Sequence, residues 1–189
     1  MRRKVRVLVF AAALRAGSLN RKLARIVAER LSARGVHVDH ADFREFEMPI
    51  YDADLEAASG LPSGTRRLLD RIVAADAFAI SSPEYIFSIP GTLKNAIDWT
   101  SRARPIVWTG KPGLILTAST SSIGGQRCAW ALRVPLEALG ALLYPDMFSL
   151  PQADRQFDAE GRLQDETVSK RLDAVLDGFL AFAAKIVAK

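Results

Sequence analysis

The sequence predicts an α/β domain, a doubly wound parallel sheet with helices on both faces. Short β-branched or apolar runs alternate with amphipathic helical stretches along the whole chain, and the connections between them are mostly short. One apolar run, Ala77–Ser81, shows no polar alternation, as a strand covered on both faces requires. With 189 residues, 49% of them hydrophobic and 25% charged, the chain has the composition of an ordinary folded protein, and one domain spanning residues 1–189 is expected.

The elements follow in order. Val5–Phe10 reads as the first strand and runs through Ala11–Gly17 into a helix over Asn20–Arg34, where Leu23, Ile26, Val27 and Leu31 recur at helical spacing. Gly35 stops that helix, and Val36-His37-Val38-Asp39 alternates as an edge strand does. Residues 42–64, with Pro49, Gly60, Pro62 and Gly64, read as a long surface loop. Thr65–Ala75 is the second helix, Ala77–Ser81 the third strand and Thr92–Arg102 the third helix, with Leu93, Ala96, Ile97 and Thr100 on one side. Gly113–Ala118 is the fourth strand, Gly125–Leu139 a fourth helix expected to kink at Pro135, and Ala141–Tyr144 the fifth strand. Glu166–Val187 closes the chain with Val168, Leu172, Val175, Leu176, Phe179, Ala183 and Ile186 on one stripe.

The net charge of +5 is lopsided. Residues 1–34 hold 10 Arg/Lys against the single acid Glu29, leaving 16 basic and 20 acidic residues after them, so the two parts carry +9 and −4. Arg2-Arg3-Lys4 and the apolar run Val7–Leu14 imitate a secretory signal, but Arg6 interrupts the pattern and the run reads as strand and turn. No apolar stretch reaches the ~18 residues of a membrane span. A cytoplasmic setting is expected, and the lone Cys128 fits a reducing one. Arg21, Lys22, Arg25, Arg30 and Arg34 on the first helix read as a solvated face, with no interleaved aromatic residues to suggest nucleic-acid binding.

The two histidines, His37 and His40, fall on opposite faces of a strand and cannot clamp one metal as strand neighbours. Cys128 sits among apolar helix residues and reads as a buried structural thiol. No G-x-S-x-G elbow, G-x-x-x-x-G-K-[ST] loop or G-x-G-x-x-G fingerprint is present.

In an open parallel sheet the ligand lies beyond the carboxyl ends of the strands, which singles out three loops. Ala11–Asn20 brings Arg15, Ser18, Asn20 and backbone amides to a helix N-terminus, as a phosphate cradle would; an N-capping turn with a solvated Arg15 explains the same residues. Ser81–Gly91 is stiffened by Pro83, Pro90 and Gly91, and its Tyr85 and Phe87 could flank a flat ring or pack under the next helix. Ala118–Gly125, with Ser119 and Gly124, permits close backbone approach or is simply a turn.

Together these loops resemble the NADPH-dependent FMN reductase family of quinone, chromate and azo-dye reductases. Arg15, Ser18 and Asn20 match the last three positions of its G-S-x-R-x-x-S-x-N loop. Pro83-Glu84-Tyr85 and Pro90-Gly91-Thr92-Leu93-Lys94-Asn95-Ala96-Ile97-Asp98-Trp99 match its P-E-Y-N and P-G-x-L-K-N-A-I-D-W segments. Tyr51-Asp52-Ala53-Asp54-Leu55-Glu56 and the run from Gly124-Gly125-Gln126-Arg127 to Ala141 match two further patterns. The resemblance implies a flavodoxin-like five-stranded parallel sheet of order 2-1-3-4-5. It also implies FMN held by Arg15, Ser18, Leu19, Asn20, Pro83, Glu84, Tyr85, Ile86, Ser119 and Gly124, with no catalytic side chain. NADPH or NADH would supply hydride, a small-molecule acceptor would take it in a ping-pong cycle, and the protein would be a homodimer or homotetramer through regions carrying Trp99, Trp108 and Trp130. Neither nucleic acid nor membrane is an expected partner. Ala12 and Ala13 stand where the family has Gly and Ser, Ile86 replaces the usual Asn and Ser121 a customary glycine, so weaker flavin contacts are expected. A flavodoxin-type electron carrier and a degenerate, non-catalytic member are the alternatives.

Overall fold

The computed structural model describes residues 5–188, and the Arg2-Arg3-Lys4 part of the signal-like start lies outside them. The run that follows is part of the sheet. β1 (Arg6–Ala11) is an interior strand whose residues Val7–Phe10 are fully buried. The parallel sheet has the order β2-β1-β3-β4-β5, with β2 (His37–Asp42) at the edge and β3 (Ala77–Ser82) and β4 (Pro112–Ala118) central. Both central strands are buried along their whole length, which explains why their sequences are apolar without alternation.

The expected fifth strand is split. β5 keeps only Leu142–Leu143, paired with Pro112 and Gly113, and β6 (Phe148–Leu150) takes the same side of β4 from Leu116 to Ala118. Pro145, which has no amide to donate, stands in the break.

Two cores flank the sheet. One lies under α1 (Leu19–Ala33) and the closing helix, Glu166–Val187; the other under Ser63–Ala74, Gly91–Thr100 and Gln126–Ala138. The segment 42–64 is more ordered than a loop. A 3-10 turn at Phe43–Phe46 is closed by a capping box between Asp42 and Glu45, and α2 (Ala53–Ser59) is N-capped by Asp52. Phe43 and Phe46 pack on Phe10, which gives this turn a buried anchor. With α2 in place, the remaining helices are α3 (Ser63–Ala74), α4 (Gly91–Thr100), α5 (Gln126–Ala138) and α6 (Glu166–Val187). α5 runs on through Pro135.

The basic face of α1 is paired rather than merely solvated. Arg30 and Arg34 bind Asp173 of α6, Arg34 also binds Asp177, Arg21 binds Asp42 and Arg25 binds Glu29. Three cations of the +9 segment, Arg21, Arg30 and Arg34, are thus matched by acids that follow it. The tryptophans correct another expectation: Trp99 and Trp108 are core residues, at 0% and 1% exposure, whereas Trp130 is 58% exposed. Trp130 lies off the buried stripe of α5 formed by Cys128, Ala129, Leu132 and Leu136.

Candidate functional site

β1, β3 and β4 are neighbours in the sheet, so the loops leaving their carboxyl ends gather at one end, where the strand order reverses between β1 and β3. Asn20 joins their bases. Buried at 2% exposure, it donates Nδ2–H to the carbonyl of Ala118 (2.8 Å) and accepts at Oδ1 from the Ala118 amide (2.9 Å) and the Ser81 hydroxyl (2.9 Å). Its carboxamide acts on Ala118 as a neighbouring strand would. Both ends of the side chain are therefore engaged within the protein.

The loop between β1 and α1 offers donors. Ser18 caps α1, accepting from the Arg21 amide at 3.4 Å, and its own amide donates to the Arg15 carbonyl. Among the described residues, the amides of Ala16, Gly17, Leu19 and Asn20 donate to no protein group, and the exposed Arg15 guanidinium has no acceptor. Four unsatisfied N–H groups and a cation thus stand together at a helix N-terminus, a donor set of the kind that anions favour. Ala12 and Ala13 are packed inward at 1% and 4% exposure.

After β3, the chain passes through Pro83 into a two-residue turn. Tyr85 and Ser88 exchange main-chain hydrogen bonds at 3.0 and 3.1 Å, and the central Ile86 and Phe87 sit at φ 46° and 59°. Asparagine tolerates that left-handed backbone far better than a β-branched residue, for which it costs about 1–2 kcal/mol. The family's Asn at this position therefore suits the turn, and Ile86, 93% exposed, occupies it under strain. Tyr85 and Phe87 are also exposed, at 56% and 67%, and Arg127 lies over the Phe87 ring at 4.3 Å.

Glu84 turns the other way. Its side chain is 9% exposed, and Oε2 accepts from the Cys128 amide at 3.0 Å in the first turn of α5. On the facing loop, Ser119 Oγ accepts from the Ser121 amide, while Gly124 and Gly125 take φ 65° and 84°. A Cβ at Gly125 would crowd that of Thr117 at 3.1 Å and touch that of Glu84 at 3.6 Å, so the bare backbone eases the approach to Thr117. Cys128 Sγ donates to Ser82 Oγ, and burial pushes the thiol up to about 11; it is no nucleophile at neutral pH.

Sequence reasoning missed one wall of this end of the molecule. Leu14, Phe43, Phe46, Met48, Thr92 and Asn95 line a mostly apolar cleft of about 440 Å³, and Arg44 fastens the 3-10 turn to the Leu14 carbonyl. The capping box Asp42-x-x-Glu45 was the signal that could have revealed it.

The profile of one family, the NADPH-dependent FMN reductases, matches residues 5–155. The chain belongs to that family. It is 37% identical over 177 residues to an NAD(P)H-dependent FMN reductase of Pseudomonas aeruginosa, covering 90% of this chain and 93% of that one. It is 33% identical over 188 residues to a quinone reductase of Escherichia coli (strain K12), covering 98% and 99%. Among solved structures it superimposes on a flavoenzyme NAD(P)H:(acceptor) oxidoreductase of Paracoccus denitrificans with a TM-score of 0.83 at 31% identity, over 96% of this chain and 98% of that one. This family member is thus an oxidoreductase on a flavodoxin-like sheet, and FMN is its flavin.

Proposed function

We propose that this FMN reductase family member takes hydride from NADPH or NADH and delivers it to a quinone, azo, metal-oxyanion or flavin acceptor in a ping-pong cycle. The observation that carries the reading is the set of unsatisfied amides at Ala16, Gly17, Leu19 and Asn20 beside the unpaired Arg15, a donor set that fits the FMN phosphate. FMN held there would supply a hydride-accepting centre at N5 and a store for the electron pair between the two substrates.

The protein's own part is holding and shaping. Arg15, Ser18 and the loop amides bind the phosphate dianion, and Leu19 contributes through its main chain. The prolines at 83 and 90 stiffen the rim that would receive the ring system, and Tyr85 and Ile86 present that rim to solvent. Ser119 and Gly124 form a facing wall without bulky side chains, which permits donor and acceptor to stack in turn. No side chain here needs to move a proton. Phe87, Arg127, Trp130 and Val134 continue the rim as an exposed strip along one face of α5, which supports a homodimer formed there.

Flavin fluorescence is expected to quench on titration into the apoprotein, and steady NADPH consumption with a quinone should give parallel double-reciprocal lines. Absence of bound flavin after reconstitution refutes the cofactor assignment to this site; a single flavin reduction without turnover identifies an electron carrier instead. Light scattering on the eluting protein at micromolar concentration should report a dimer, and a monomer overturns that part.

A further inference from the structure

We propose that Glu84 is a positioning residue which, by plugging the N-terminus of α5 with its own carboxylate, fixes the two flavin-facing loops against each other and holds the flavin's reduction potential down. The inference rests on the FMN reading of the site. The N-cap residue of α5 is Gly125, which has no side chain and makes no side-chain cap. The cap comes instead from 41 residues earlier, through Glu84 Oε2 and the Cys128 amide at 3.0 Å. This bond closes the β3 loop onto the β4 loop, and a Cβ added at Gly125 would already touch that of Glu84, at 3.6 Å.

The electrostatic consequence follows from the same geometry. A free helix N-terminus carries roughly half a positive charge and favours any anion nearby. With Glu84 seated on it, the nearest counter-charge is Arg127, 3.9 Å from Oε1, and the Arg127 side chain is 54% exposed. Water screens that guanidinium, whereas the carboxylate is almost wholly enclosed. The plugged end therefore presents net negative charge to the loops around it. Each hydride would bring one negative charge to the flavin, and a carboxylate fixed behind the β3 loop, at the start of α5, opposes that arrival.

Two variants separate the structural from the electrostatic role. In Glu84→Gln the side-chain carbonyl still accepts from the Cys128 amide while the charge is gone; in Glu84→Ala both are lost. Hydrogen exchange on the apoprotein should show the Cys128 amide protected in wild type and Glu84→Gln, and exchanging at least roughly tenfold faster in Glu84→Ala. Formate, small enough to enter the vacated cap, should restore protection to Glu84→Ala. Dye-equilibrated titration of the FMN-loaded proteins should find the flavin of Glu84→Gln roughly tenfold easier to reduce than wild type, about 30 mV for a two-electron couple. An unchanged potential in Glu84→Gln overturns the electrostatic claim, and undiminished Cys128 protection in Glu84→Ala overturns the cap. Because exchange is read without flavin, failure of the protein to bind FMN would be recognised separately.

Discussion

Replacing Asn20 by leucine tests whether that residue serves the fold or the cofactor. Leucine fills a similar volume but leaves the Ala118 amide and carbonyl without a partner at a buried position, while the Ser81 hydroxyl can rotate towards another acceptor. Each orphaned main-chain group costs about 1–3 kcal/mol, so the two together predict a loss of about 2–6 kcal/mol. For a chain of this size, that lowers Tm by roughly 4–24 °C. Urea unfolding of the apoprotein followed by far-UV circular dichroism measures it directly, with an unchanged m-value required for the comparison. A loss below about 1 kcal/mol, together with a large fall in FMN affinity, would show that the carboxamide works on the flavin and that its bonds to Ala118 are incidental.

Arg15→Ala should weaken FMN by about 10- to 100-fold, the value of one hydrogen bond to a charged group, while leaving apoprotein stability within ±0.5 kcal/mol; fluorescence titration and thermal melts read the two halves. Cys128 should resist iodoacetamide at pH 8 in the folded protein and react once unfolded, since its thiol stays protonated until about pH 11. The raised value means that the native state holds the proton after the unfolded chain has lost it. Stability should therefore decline between the ordinary thiol range and pH 11, and Cys128→Ala should flatten that decline. Asp173→Asn removes the partner shared by Arg30 and Arg34, and a loss of about 0.5–1 kcal/mol is expected that shrinks in 1 M salt, because all three side chains are partly exposed. A salt-independent loss would contradict that account.

The fold was legible because its signals are local. The unbroken apolar runs of β3 and β4, the helical stripes of α1 and α6 and the glycine after α1 each depend on residues a few places apart, and the structure places all of them as expected. The order 2-1-3-4-5 came from family resemblance, since spacing alone does not rank strands. What stayed hidden depends on distant partners. Asn20 reaches residue 118 and Glu84 reaches residue 128, so their roles as loop ties could not be read from neighbours in sequence. The 3-10 turn at Phe43–Phe46 was obscured by Pro49 and the glycines after it, although its capping box was present. Trp130 shows the limit of composition: a large aromatic residue is usually inside, but the phase of α5 turns this one outward.

Helix α6 lies beyond the residues that the family profile matches, yet Leu172, Leu176, Phe179 and Ala183 complete the core over β1 and β4, and Asp173 and Asp177 close on α1. A polypeptide leaves the ribosome amino end first, so every strand of this sheet is synthesised before the helix that covers one of its faces. During that interval the side of the sheet beside α1 lacks its greasy lid, and chaperones or neighbouring nascent chains can reach it. A stop codon between the last strand and residue 166 would consequently yield no smaller reductase. It would yield a half-covered sheet with Arg30 and Arg34 of α1 stripped of their carboxylates, a species suited to aggregation and to proteolytic disposal.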